Sequence, residues 1–340
     1  MKIIVHIGAG KTGTSSIQQT LKSNQKVLEA QGFLYLGLIL DQAPVIKYHW
    51  QKHPSGNFNR VDKERLYEEV LDILKLTIQK SQQAGIHTLI WSNESFFGLN
   101  EKLIPILSEL RKEHDLEIVV YVRKHESWIR SAYVQWGIKH KTYPGPIKKF
   151  KEWYQPGKVN FYNTLKPYID VFGDKVVVKN MAGHSDLVTS FLDQCGIATE
   201  SIIIERSNES PSNEELLLRS LYNNHFKADV LPTLFDRRIL RQINKNLYEE
   251  NIDPTAFLQS LMPTEEDIKE VNEQVEDDRH KINQLLLASS EKEIGSDIDS
   301  KIDLKVDSDK LLMLLAKLVI RQSIEIQHLQ KNLEKLKDDE

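Results

Sequence analysis

The chain has 340 residues and a formal charge of −4, enough length to bury the core of one large α/β domain or two smaller ones. The slight acidic balance argues against bulk nucleic-acid binding, while a local basic cleft for a small polyanion stays compatible with it. A single cysteine, Cys195, excludes an intrachain disulfide and a thiolate metal cluster within one chain, and fits a reducing compartment.

Met1-Lys2 leads straight into Ile3-Ile4-Val5-His6-Ile7, so the reading expects no leader segment and a cytoplasmic protein. This β-branched run reads as a buried strand. It stops at Gly8, Gly10 and Gly13, which enclose Lys11 and lead into Thr12, Thr14, Ser15 and Ser16. Glycine lets the backbone turn and approach closely, a new helix offers unpaired N–H groups, and lysine adds a point charge, so the stretch suits an anion, with a phosphate-bearing ligand expected. A plain helix-capping turn uses the same residues. Read as a dinucleotide fingerprint, Gly8-x-Gly10-x-x-Gly13 lacks an acidic residue after the next strand-like run, 33–36, which ends in Gly37. Read as a Walker A loop, Gly10-Lys11-Thr12 requires a glycine where Val5 stands.

Residues 16–31 follow as a helix with Ile17, Leu21 and Leu28 on one face and Gly32 as its stop. The segment 41–59 is irregular and holds His49 and Trp50; loops of this length are often functional. Residues 62–83 read as an amphipathic helix, 87–91 as a strand ending in Ser92-Asn93-Glu94-Ser95, and 103–114 as a helix. The run 118–122 is strand and ends at Arg123. A helix over 126–140, an excursion over 141–158, a helix over 162–172, a strand at 176–178 and a helix over 185–195 complete the alternation. The pattern predicts an α/β fold: a central parallel sheet with helices on both faces. Beyond Ser212 the strands stop, and 214–224, 236–250 and 265–287 read as a mostly helical C-terminal section.

Residues 289–309 are polar and read as a linker. The apolar run 311–320 contains Lys317 and is about half the length that a bilayer span needs, so no membrane span is expected. Leu312, Leu315, Val319, Gln322, Ile326, Leu329, Leu333 and Leu336 alternate in steps of three and four, the seam of a coiled-coil helix over 310–338 and of a homo-oligomer.

Lys11-Thr12-Gly13-Thr14-Ser15 follows a strand, and Arg123 at a second strand end is followed eight residues later by Ser131. A guanidinium matches a phosphate bidentately, and serine adds a hydrogen bond. With both motifs the chain resembles the PAPS-dependent sulfotransferases, its bacterial branch above all. Residues 6–15 match that branch's opening, and Ser131, Tyr133, Gln135 and Trp136 match its second element. Asn208-Glu209-Ser210-Pro211-Ser212 looks like its late Asn-x-Ser-x-Ser element, so the resemblance covers roughly residues 1–225. The Arg-Lys-Gly triplet of cytosolic hormone and phenol sulfotransferases is absent.

The resemblance implies a P-loop NTPase-like sulfotransferase domain over 1–225, with 226–288 as a helical extension. It implies 3′-phosphoadenosine 5′-phosphosulfate as donor, no metal, and a hydroxyl acceptor, with carbohydrate as one class. Gly10, Lys11, Thr12, Gly13, Thr14 and Ser15 would hold the 5′-phosphate, and Arg123 and Ser131 the 3′-phosphate. Lys11 would follow charge onto the leaving oxygen. Glu94 or His49 would serve as general base. Two alternatives stay open: a small-molecule kinase using ATP and Mg²⁺, and a non-catalytic coiled-coil scaffold.

Overall fold

In the computed structural model of the chain, the residues described are 1–52, 56–206, 211–224, 226–231, 253–297, 304–315, 318, 319, 322, 326 and 329. They divide into two compact units. The first comprises Met1–Trp128, Gly157–Glu209 and Val271–Asp297; the second comprises Ile129–Pro156, Ser210–Glu270 and Ile298–Glu340.

The first unit is the α/β fold that the alternation predicts. Five parallel strands, β1 (Lys2–His6), β2 (Phe33–Tyr35), β3 (Thr88–Ser92), β4 (Asp115–Val122) and β5 (Val176–Asn180), lie in the order β2-β3-β1-β4-β5. Solid runs of Val and Ile form them because the sheet is buried on both faces. Ile4, Ile90, Val119 and Tyr121 point to one face. There they pack with Ile17 and Leu21 of α1 (Thr14–Ser23), Leu28 of α2 (Gln25–Ala30), and Phe191 and Leu192 further along the chain. Ile3, Val5, Leu89 and Val120 alternate with them and are equally buried.

The chain leaving β1 returns to the β2 edge, and the chain leaving β4 ends at the β5 edge. Neighbouring strands whose connections diverge leave a crevice beyond their carboxyl ends, where open α/β sheets bind ligands. Val119 pairs with His6, and β4 runs on to Val122, so Arg123 is carried past the end of β1.

Further helices are α3 (Gly56–Arg60), α4 (Lys63–Gln83), α5 (Asn100–Arg111), α6 (His125–Ala132), α7 (Phe150–Trp153), α8 (Phe161–Phe172), α9 (Leu187–Cys195), α10 (Asn213–Asn224), α11 (Pro254–Leu261), α12 (Glu265–Gln274) and α13 (Glu276–Ala288). Among the described residues no helix is long and apolar enough to cross a membrane.

Three segments differ from their sequence reading. The helix expected over 16–31 breaks at Asn24, whose amide donates to the carbonyls of Thr20 and Ile203, both at 2.8 Å. The helix expected over 126–140 is α-helical to Ala132 and continues with wider π-type winding over Tyr133–Lys139. There Gly137 lies so close to the Tyr133 ring that a Cβ would stand 2.4 Å from it. Residues 289–297, polar enough to read as linker, belong to the first unit. Ser289 Oγ accepts from Val178 N on the edge strand β5, and Glu291 takes Lys179 and His184 at 3.0 Å. Their polarity serves charged partners on a strand edge.

In the second unit Lys141 is fully buried and donates to the carbonyls of Tyr143, Gly145 and Phe226. Burial pulls its pKa down. The helix read over 236–250 and the residues Asn208, Glu209 and Ser210 lie outside the described residues. So do Leu333, Leu336 and most of the residues between the seam positions over 310–338. At the described seam positions Leu312, Leu315, Val319, Ile326 and Leu329 are exposed.

Candidate active site

The loop between β1 and α1 winds through the left-handed region twice, at Lys11 (φ 69°) and Gly13 (φ 79°). Lysine there is strained, so the surroundings must hold it. Three side chains take the loop's carbonyls. Thr12 Oγ1 donates to Ala9 O at 2.5 Å, Trp128 Nε1 to Gly10 O at 2.8 Å, and Arg123 Nη1 to Lys11 O at 3.1 Å. The cap of α1 is Gly13, which has no side chain to compete for the first-turn N–H groups, and Ser16 N donates back to Gly13 O at 3.1 Å, a helix start of the kind that suits an anion. Gly13 is required by its positive φ, and a Cβ there would also have to displace the Leu187 Cδ2 methyl, 2.1 Å away at the start of α9.

Below the loop lies His6, which is fully buried. Its Nδ1 is 2.8 Å from Ser92 Oγ at the end of β3, while Nε2 has no hydrogen-bond partner among the described residues. Burial pushes its pKa down to about 3, so the ring is neutral. Gly8 covers the ring, where a Cβ would stand 2.9 Å from Nε2.

The structure therefore brings Lys11 and Arg123 together with Gly10, Thr12, Gly13, Thr14 and Ser15. Arg123 also donates through Nη2 to Ser127 Oγ at 3.2 Å. Ser131 stands in the last turn of α6, half-buried, and belongs to the second unit. Glu94 is exposed just past β3, and Gln18 Nε2 of α1 donates to its Oε2 at 3.1 Å and to Ser92 Oγ at 3.4 Å. His49 is exposed and opens a short 3₁₀ turn. The residues beside it are fastened to α4: Trp50 Nε1 donates to Glu69 at 2.6 Å and Tyr48 OH to Asp72 at 2.9 Å. Trp50 and Trp153 are buried in the core. Cys195 is buried, and burial raises its thiol pKa far above the usual range, as befits a packing residue.

Sequence reasoning missed three contributors. His6 enters the sequence reading only as part of the opening motif, and Trp128 and Gln18 only as unnamed positions inside the helices read over 126–140 and 16–31. Their partners stand 86, 118 and 76 positions away. The available signal was Gln18 on the same face of a helix as Ser15, next to the loop.

Compared with models of known families the chain matches none, and no curated protein matches it.

Proposed function

We propose that the first unit carries a sulfotransferase site using 3′-phosphoadenosine 5′-phosphosulfate and a hydroxyl acceptor. The observation that carries this reading is the junction of the two motifs. Arg123, from the end of β4, donates to the carbonyl of Lys11, so both cationic side chains belong to one crevice at the sheet's carboxyl end. The residues fit such a donor: loop carbonyls are taken up by side chains, the helix cap carries no side chain, and glycines stand where a Cβ would intrude.

The donor supplies a sulfuryl group on a phosphate oxygen. In this reading the backbone of residues 12–15 and Lys11 hold the 5′-phosphate, and Lys11 stabilises the charge left on the bridging oxygen when the S–O bond breaks. Arg123 serves the 3′-phosphate. Glu94, steadied by Gln18, takes the proton of the acceptor hydroxyl as its oxygen bonds to sulfur. His49 is the second candidate for that base. The exposed seam residues support self-association through residues 310–338.

Titration with adenosine 3′,5′-bisphosphate, against ATP with Mg²⁺, tests the reading. Binding of the bisphosphate and transfer of labelled sulfate are expected; preference for ATP would replace it with the kinase reading. Glu94→Gln should keep bisphosphate binding and lose transfer. Full-rate transfer by that variant moves the base to His49.

A further inference from the structure

A cavity of about 320 Å³ lies between the outer face of α1 and the turn that follows β2. That volume falls within the roughly 300 to 1,000 Å³ of small-molecule sites. Its α1 wall is Ser15, Gln18, Gln19 and Lys22, spaced three, four and seven residues along one helix face. The opposite wall comes from residues 35–42 and includes Tyr35, Asp41 and Gln42.

This second wall is held in shape. Gly37 (φ 80°) and Leu40 (φ 57°) both take the left-handed conformation. Ile39 N donates to Asp41 Oδ1 at 3.2 Å, Gln42 Nε2 donates to Asp41 Oδ2 at 3.0 Å, and Gln25 Nε2 donates to Gln42 Oε1 at 2.8 Å. Strain in a non-glycine residue, held by a network, marks a pre-organised surface. Burial, Asp41 and Glu94 all raise the pKa of Tyr35, so its phenol stays protonated as a donor.

Resting on the sulfotransferase reading, we infer that this groove is the acceptor site and that it takes a hydroxyl-rich acceptor such as a neutral saccharide. Gln19 and Gln42 each keep one amide N–H and a carbonyl lone pair beyond their bonds to Ser23, Asp41 and Gln25, and Gln18, whose N–H groups go to Glu94 and Ser92, keeps its carbonyl oxygen, a set of donors and acceptors that suits vicinal hydroxyls. The aromatic ring in the wall, Tyr35, is only 3 % exposed, so it offers no face on which a flat phenol could stack. Lys22 and Asp41 balance in charge, which suits a neutral ligand. The groove also adjoins the chemistry: Ser15 belongs to the phosphate loop, and Gln18 holds Glu94.

The test uses the full chain, labelled donor and two acceptor panels, one of neutral oligosaccharides and one of phenols. Gln19 and Lys22 are exposed, so Gln19→Trp, which fills the groove, and Lys22→Glu leave the fold intact. Expected are label on saccharides, an acceptor KM about tenfold higher or more in Gln19→Trp, a smaller rise in Lys22→Glu, and unchanged affinity for adenosine 3′,5′-bisphosphate in both. Failure of the wild-type chain to bind the bisphosphate would overturn the donor reading and this inference with it. Normal bisphosphate binding overturns the groove alone if phenols take the label, if no saccharide does, or if Gln19→Trp leaves the acceptor KM unmoved.

Discussion

Two turns at the carboxyl end of the sheet use the same backbone device to different ends. After β1, Lys11 and Gly13 turn left-handed; after β2, Gly37 and Leu40 do. In the turn after β2 both halves of the backbone are engaged. Ile39 N goes to Asp41, Gln42 N to Leu36 O and Ala43 N to Leu40 O, while the Leu38 carbonyl accepts from Trp91 and Asn93. After β1 it is the carbonyls that Thr12, Trp128 and Arg123 take, and the α1 cap, Gly13, carries no side chain. A turn with both halves engaged is a wall. A loop with its carbonyls drawn off, leading into a helix whose cap carries no side chain, is the arrangement that suits an anion.

The sharpest break in this contrast is Lys11→Ala. Alanine keeps the left-handed strain, so the loss is that of the ammonium group. Single-turnover transfer should fall by roughly a thousandfold, as when a charge-stabilising donor is removed from an active site. A fall of less than about tenfold would take Lys11 out of the chemistry. Next come the two glycines. Gly13→Ala forces a Cβ to 2.1 Å from Leu187 and Gly37→Ala to 2.2 Å from Asp41 Oδ1, each at positive φ. Each should cost about 1–3 kcal/mol in denaturant unfolding. The contrast predicts that Gly13→Ala alone also weakens bisphosphate binding.

The cradle was visible in sequence where the turn after β2 was not, and the reason is locality. Gly8, Gly10, Lys11 and Gly13 lie within six residues, and Arg123 ends the most strand-like run of the chain, so their types and spacing carry the signal. The sheet follows from β-branched runs alternating with helical periods. The supports come from pairings that only strand order creates: His6 with Ser92 across adjacent β1 and β3, and Trp128 with Gly10 across β4 and β1. Asn24 breaks a helix for a partner at Ile203, and Glu291 packs on a strand edge while its neighbours look like linker. Long-range hydrogen bonding overrides local pattern in each case.

His6 ties the cradle's floor to pH. Its folded pKa of about 3 lies below the ordinary imidazole value of 6.5. Between those values the unfolded chain holds one more proton than the folded one. Stability therefore rises with pH across that window and is lost on acidification, by about 1.4 kcal/mol per pH unit from this group. Above the window its contribution is complete. Urea unfolding of His6→Gln and wild type, from about pH 7 to about pH 5, should show the difference between them shrinking as pH falls. A constant difference would mean the ring is not held neutral.

The smallest effect separates the loop's shape from its charge. Trp128→Phe keeps the ring that meets Phe161 edge-to-face at 5.7 Å and removes the N–H that takes the Gly10 carbonyl. The net loss of one such hydrogen bond is about 1 kcal/mol. Because that carbonyl belongs to the loop, the loss should reach the ligand as well as the fold. Calorimetry should show bisphosphate affinity down by about fivefold, alongside a lower unfolding midpoint. An unchanged affinity with a lowered midpoint would mean that the cradle keeps its shape without the indole, held by Arg123 and Thr12 alone.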